Sequence, residues 1–230
     1  MFAQRVVRIL VLPLCLLAAS AFAISLADLS KQDASSGLKA ALDKGSLAAV
    51  AQLGVENGFL GNDKVKIQLP ALLEKARPLL KMTGKGQQLD DLVVAMNRAA
   101  EAAVPMAKPL LLNAVKSMTI SDAKNILTGG ETSVTDFFRA KTSAQLSVQF
   151  LPVVKKVTDR SGLAAQYNSA MGQASKLGIA QQQPASVEGY VTERALDGLF
   201  VIIADEEKSI RRDPIGSGSK IIGKVFGALH

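Results

Sequence analysis

Apolar residues return every three to four positions along nearly the whole chain. Leu38, Leu42, Ala49 and Leu53 make one stripe, and Leu89, Leu92, Val93, Met96, Ala100 and Ala103 a denser one. Leu146, Phe150, Val153 and Val157 repeat the pattern, as do Leu163, Tyr167, Met171 and Ala174. Each set falls on one face of a helix with 3.6 residues per turn, the spacing of a helix that lays one stripe on a core. Strand-like alternation occurs in Val65-Lys66-Ile67-Gln68-Leu69, just before Pro70. The pattern predicts an all-α, single-domain bundle of about eight helices.

Turn and capping residues set the expected boundaries. Pro70 suits the first turn of a helix reaching Met82, stopped by Gly84-Lys85-Gly86. A long segment over 87–118 carries Pro105 and Pro109, which remove backbone donors and should kink or split it. Thr119 with Asp122 three residues on reads as a capping box opening a short helix that ends at Gly129-Gly130. A further helix is expected from Thr132 to about Lys141, with Thr142 or Ser143 opening the next and Ser161-Gly162 closing it. The stretch 178–185, with Gln181-Gln182-Gln183-Pro184, reads as the best internal linker, and Ser186 as the cap of a helix to Arg212, halted by Asp213-Pro214. Gly198-Leu199-Phe200-Val201-Ile202-Ile203-Ala204 in that helix is apolar all round, which places it at the centre of the bundle. Gly198 there leaves room for a neighbouring backbone.

Arg5 and Arg8 precede an apolar run over 9–19 and then Ala21-Phe22-Ala23, the layout of a secretory signal cleaved before Ile24. The run contains Pro13 and falls short of the roughly 20 apolar residues of a membrane span, and Leu14 stands where a lipobox before Cys15 needs a small residue. Residues 1–23 are thus expected to be a leader and 24–230 one helical domain, exported to the periplasm, with no transmembrane segment after cleavage. The whole chain has a formal net charge of +7, 48% hydrophobic residues, 4% aromatic residues, one Cys and one His. Loss of the leader takes Arg5, Arg8 and Cys15, leaving 25 basic and 20 acidic residues. No disulfide or thiolate chemistry remains.

Several segments resemble a bacterial family of uncharacterised exported proteins, domain of unknown function 4197. They are Gly58-Phe59-Leu60, Met96-Asn97-Arg98-Ala99-Ala100-Glu101 with Val104-Pro105, and Met118-Thr119 with Asp122-Ala123-Lys124. Phe138-Arg139-Ala140-Lys141-Thr142 and the run from Tyr190-Val191-Thr192-Glu193 through Ala195-Leu196-Asp197-Gly198-Leu199-Phe200 also match. The resemblance implies an all-helical exported domain of a two-membrane bacterium and transfers no reaction, ligand or catalytic residue.

The chemistry reads mainly by exclusion. His230 is the terminal residue, so a Ser-His-Asp or Cys-His site and a histidine metal site are not expected. Glu56-Asn57-Gly58 to Asn62-Asp63 lacks the acid spacing of a calcium loop. Ser36 to Lys39 and Ser121 to Lys124 fit Ser-x-x-Lys without its companion motifs. Asp205-Glu206-Glu207 reads as a solvated face on which Glu207 pairs with Arg211 at i,i+4. No catalytic residue, metal or cofactor is assigned.

Asn97, Arg98 and Glu101 are candidate ligand-binding residues at i, i+1 and i+4 of one helix, joined by Tyr190 and Asp197. Asp197 would pair inside the bundle with Arg98, or locally with Arg194. Arg139 and Lys141, behind the fresh helix start after Gly129-Gly130, are candidates for a small anion site. The terminal Lys220-Ile221-Ile222-Gly223-Lys224-Val225-Phe226 is basic and amphipathic, suited to a membrane surface or to the bundle. Mixed charge and scarce aromatics argue against nucleic acid. The leading expectation is a non-enzymatic periplasmic binding or interaction protein for a lipid-like, anionic ligand or an envelope protein. The alternatives are an enzyme using carboxylate, Lys or Tyr groups, and a structural or chaperone-like envelope factor.

Overall fold

The computed structural model describes residues 31–176, 186–214, 216 and 220–227. The expected leader (1–23) and linker (178–185) lie outside them. α1 (Lys31–Leu53) buries Leu38, Leu42, Ala49 and Leu53, and α2 (Ala71–Met82) begins behind Pro70. α2 stops as Gly84 takes a φ of 76°, a left-handed value that glycine adopts without strain. α3 (Gly86–Ala103) passes through a single 3-10 turn, Val104–Met106, into α4 (Ala107–Lys116). Pro105 sits in that turn, where its missing N–H costs nothing, so the long segment splits there.

The capping box forms as the spacing predicts. Asp122 N–H donates to Thr119 Oγ1 at 3.1 Å and Thr119 N–H to Asp122 Oδ2 at 3.0 Å, opening α5 (Ile120–Thr128). The next boundary differs from expectation. α6 (Ser133–Ser161) runs unbroken through Thr142 and Ser143, whose hydroxyls donate back to the carbonyls of Phe138 and Arg139, each at 2.7 Å. A hydroxyl that bonds four residues upstream belongs inside a helix, so neither side chain is free to cap a new one. Gly162 ends α6 at φ 65°, and α7 (Leu163–Lys176), α8 (Val187–Arg212) and α9 (Lys220–Gly227) follow, nine α-helices among the described residues.

α8 is the central element, packed against α1, α3 and α6. Leu199, Phe200, Ile202 and Ile203 are buried, while Val201 is 40% exposed, so its apolar run is covered on most sides and open on one. Gly198 does provide a close approach, but to a side chain: a Cβ there would lie 2.6 Å from Phe59 Cε1. Phe59, Phe138, Phe150 and Phe200 are fully buried, each contributing about 2–3 kcal/mol by area removed from water. One continuous core joins the helices, giving a single all-α domain.

Val65-Lys66-Ile67-Gln68-Leu69 is extended, with Val65, Ile67 and Leu69 buried and Gln68 exposed, but among the described residues it pairs with no strand. α9 lies on α1 with Ile222 and Val225 buried, so its apolar face docks on the bundle. Among the described residues no helix is long and apolar enough to cross a membrane.

Candidate functional site

Residues 54–69, between α1 and α2, lie across α3 and α8, and the candidate polar residues of α3 fasten them there. Asn97, fully buried, accepts from Ile67 N–H at 2.8 Å and donates through Nδ2 to the carbonyls of Ile67, 2.8 Å, and Val93, 2.7 Å. Its amide pairs with Ile67 as a neighbouring strand would, which accounts for an extended segment without a sheet. Glu101 Oε1 accepts from the N–H groups of Phe59 and Leu60 at 3.0 and 3.1 Å. Its Oε2 takes Arg98 Nη1 at 2.6 Å, and Arg98 Nη2 reaches Glu56 at 3.2 Å and Asn57 Oδ1 at 2.9 Å. Asn57 itself has a φ of 67°, a left-handed conformation that Asn tolerates better than most residues.

α8 holds the same loop from the other side. Tyr190 donates its hydroxyl to Gln68 O at 3.0 Å, and Lys64 meets Asp205 at 2.6 Å. Burial pushes the Tyr190 phenol up, with Arg194 opposing and Glu193 and Glu74 adding to the rise, so it stays protonated near neutral pH. Asn97, Arg98, Glu101 and Tyr190 therefore converge on one loop of their own chain, Asn97, Glu101 and Tyr190 through its backbone and Arg98 through the side chains of Glu56 and Asn57.

The remaining candidates lie apart from this group. Asp197 does not meet Arg98. It pairs with Arg194 at 3.2 Å, the local i,i+3 alternative, and with Arg139 at 3.6 Å, both partly exposed. The Arg139 guanidinium lies 4.6 Å from the centroid of the Phe200 ring. Lys141 sits 3.8 Å from Asp122 in an open groove of about 300 Å³ between α5 and α6, which Asp136 also lines. Arg139 and Lys141 thus face different partners and do not form one anion site.

The family follows from a match over most of the chain. Residues 28–227 match the family described as protein of unknown function (DUF4197). The chain belongs to the DUF4197 family. No curated protein and no solved structure matches it.

One residue of this DUF4197 chain escaped the sequence reading. Glu207 and Arg211 do pair, at 3.0 Å, but the Glu207 side chain is 1% exposed and no part of a solvated face. Glu207 Oε1 accepts from Val134 N–H at 3.0 Å, and Oε2 from Thr135 N–H at 3.1 Å and the Thr135 hydroxyl at 3.0 Å. The N–H groups at the start of α6 are thus taken by a carboxylate of the same chain, from α8, where helix polarity favours negative charge. Arg211 completes the contact by donating to Ile126 O at 3.1 Å and Ser133 Oγ at 2.7 Å. Nothing in the sequence marks Glu207 as buried, because its neighbours Asp205 and Glu206 are also acidic.

A cavity of about 20 Å³ between α1, α6 and α8, lined by Ser46, Phe138, Ile203 and Glu207 among others, has room for about one water. Among the described residues there are larger depressions, including the open α5–α6 groove and another of about 240 Å³ lined by Leu80, Thr83, Lys85, Gln173 and Lys176. Among the described residues no group of His, Cys, Asp and Glu could hold a metal.

Proposed function

We propose that this DUF4197 chain is an exported, non-enzymatic binding or interaction protein of the periplasm, which works by presenting a rigid helical surface. The observation that carries the reading is the fate of Glu101. Both of its oxygens are taken by Phe59, Leu60 and Arg98 at 5% residue exposure, so this buried carboxylate is committed to holding a loop. The small size of the cavity between α1, α6 and α8 supports surface contact with an apolar or anionic partner over engulfment of a lipid there, since ligand pockets usually hold several hundred Å³. The leader-like first 23 residues support export.

A panel of ester, glycoside and phosphate substrates given to the chain starting at Ile24 is expected to show no turnover above buffer. Turnover that Glu101→Gln abolishes while the melting temperature stays high would overturn the reading. Export is checked by fusing residues 1–23 to a leaderless alkaline phosphatase, which is active only outside the cytoplasm; an inactive fusion removes the periplasmic assignment.

A further inference from the structure

The corner where α2 ends, α3 begins and α7 ends combines exposed apolar side chains with uncompensated positive charge. The groove of about 240 Å³ there is lined by Leu80, Thr83 and Gln173, with Lys85 and Lys176 on its walls. Beside it on α2, Leu79 is 43% exposed and Met82 85% exposed. Lys75 precedes Leu79 by one helical turn, and Lys81 adjoins Met82; both are exposed.

Among the described residues Lys75, Lys81, Lys85 and Lys176 have no carboxylate partner. Two acids of this region are paired with Arg77, and a third is held by an amide. Glu74 and Asp90 hold Arg77 at 2.9 and 2.8 Å, and Asp91 accepts from Gln87 at 2.9 Å.

We propose that this corner docks the protein on an anionic phospholipid surface. Leu79 and Met82 enter the headgroup layer, and Lys75, Lys81, Lys85 and Lys176 meet the lipid phosphates. The two sets of groups match the two parts of such a surface: an apolar boundary that takes up side chains, and a sheet of negative charge above it. A soluble polyanion would satisfy the lysines and leave Met82 in water. The inference rests on the proposed reading, to which it adds one surface and one partner chemistry.

The test uses the chain starting at Ile24 and sedimented vesicles of phosphatidylcholine, alone or mixed with phosphatidylglycerol. Binding to the mixed vesicles only, weakened by salt, is expected. Lys81→Gln combined with Lys85→Gln should lower the partition about 25-fold, since each lysine near an anionic leaflet contributes about five-fold, or about 1 kcal/mol. Lys108→Gln combined with Lys124→Gln, on α4 and α5, should leave it unchanged. The chain has no Trp, so Met82→Trp reports on one site, and its emission should shift to the blue on mixed vesicles.

Wild-type protein left in the supernatant overturns the inference, as does equal weakening by both lysine pairs or an unshifted Met82→Trp spectrum on bound protein. Polyglutamate binding with the same lysine dependence and a silent Met82→Trp would assign the corner to acidic polymers and overturn it too. The vesicles contain no protein and no substrate. Their failure to bind therefore removes this docking surface alone, whereas the broader reading falls to turnover.

Discussion

Replacing Glu207 by alanine removes the carboxylate that seats α8 on the start of α6. The side chain is 1% exposed and accepts two backbone N–H groups, a hydroxyl and Arg211, all at 3.0–3.1 Å. Val134 and Thr135 are themselves 7% and 6% exposed, so their N–H groups would have no water to turn to. Each orphaned buried donor costs about 1–3 kcal/mol, and breaking a buried ion pair about 3–5 kcal/mol. These terms overlap, since Arg211 keeps its bonds to Ile126 and Ser133, and about 4 kcal/mol is a fair total. In a chain of this size 1 kcal/mol moves the melting temperature by about 2–4 °C, so a drop of about 8–16 °C is expected. An exposed i,i+4 pair would be worth only about 0.3–0.5 kcal/mol. Thermal and urea unfolding followed by circular dichroism at the helix band decides between them. Glu207→Gln, which keeps an acceptor but not the charge, should fall between wild type and alanine. A cooperative Glu207→Ala transition within about 2 °C of wild type would refute the buried-cap account.

Further substitutions test other contacts. Gly198→Ala pushes a methyl to 2.6 Å from Phe59 Cε1, and overpacking of about 1–3 kcal/mol should outweigh the helix-propensity gain of about 1 kcal/mol; Phe59→Leu in the same chain should cost less than it does alone, as read by urea midpoints. Hydrogen bonds from the Thr119 N–H and hydroxyl hold the Asp122 carboxyl below its ordinary value, with Lys141 assisting against slight desolvation. Its stabilisation is therefore full above the usual carboxylate range and lost as pH falls through the lower folded value. Asp122→Asn should lower the melting temperature at pH 7, with the gap closing in strong acid; a gap independent of pH refutes it. Tyr190→Phe forfeits the bond to Gln68 O and should cost about 1 kcal/mol, whereas Tyr167→Phe removes a buried hydroxyl with no partner among the described residues and should be neutral or stabilising.

Helices were legible because their signals are local. Period, proline, glycine and caps act within a turn or two, and they place α2, α5, α7 and α8 to within about two residues. The error at Thr142 and Ser143 has the same origin. A hydroxyl can cap a helix or bond back into one, and the choice depends on whether the neighbouring turn already has a core to join. Phe138 and Leu146 bury on either side of those residues, and that tertiary gain keeps the helix going. The alternation at Val65-Lys66-Ile67-Gln68-Leu69 was a true signal of extended chain with a burial period of two, but what satisfies its backbone is the Asn97 amide, 30 residues away.

The site was legible as a set of residues and not as a role. Asn97, Arg98 and Glu101 stand out because polar groups on an otherwise apolar helix face need partners, and a sequence cannot say whether the partner is substrate or backbone. Hydrogen-bond occupancy answers it: Glu101 holds Phe59 and Leu60 through one oxygen and Arg98 through the other. If the role is to clamp residues 54–69, its loss should show first at the loop. In Glu101→Gln the remaining carbonyl oxygen can still accept from the loop, but the new amide faces Arg98 with donors. A hydrogen bond to a charged group is worth about 1.5–3 kcal/mol, so local opening should become about 10- to 150-fold more frequent. Amide hydrogen exchange at Phe59 and Leu60 should accelerate by that factor, while the amides of α6 exchange as before. Unchanged exchange at both loop amides would mean that the carboxylate does not hold the loop, and would return Glu101 to the list of groups available for chemistry.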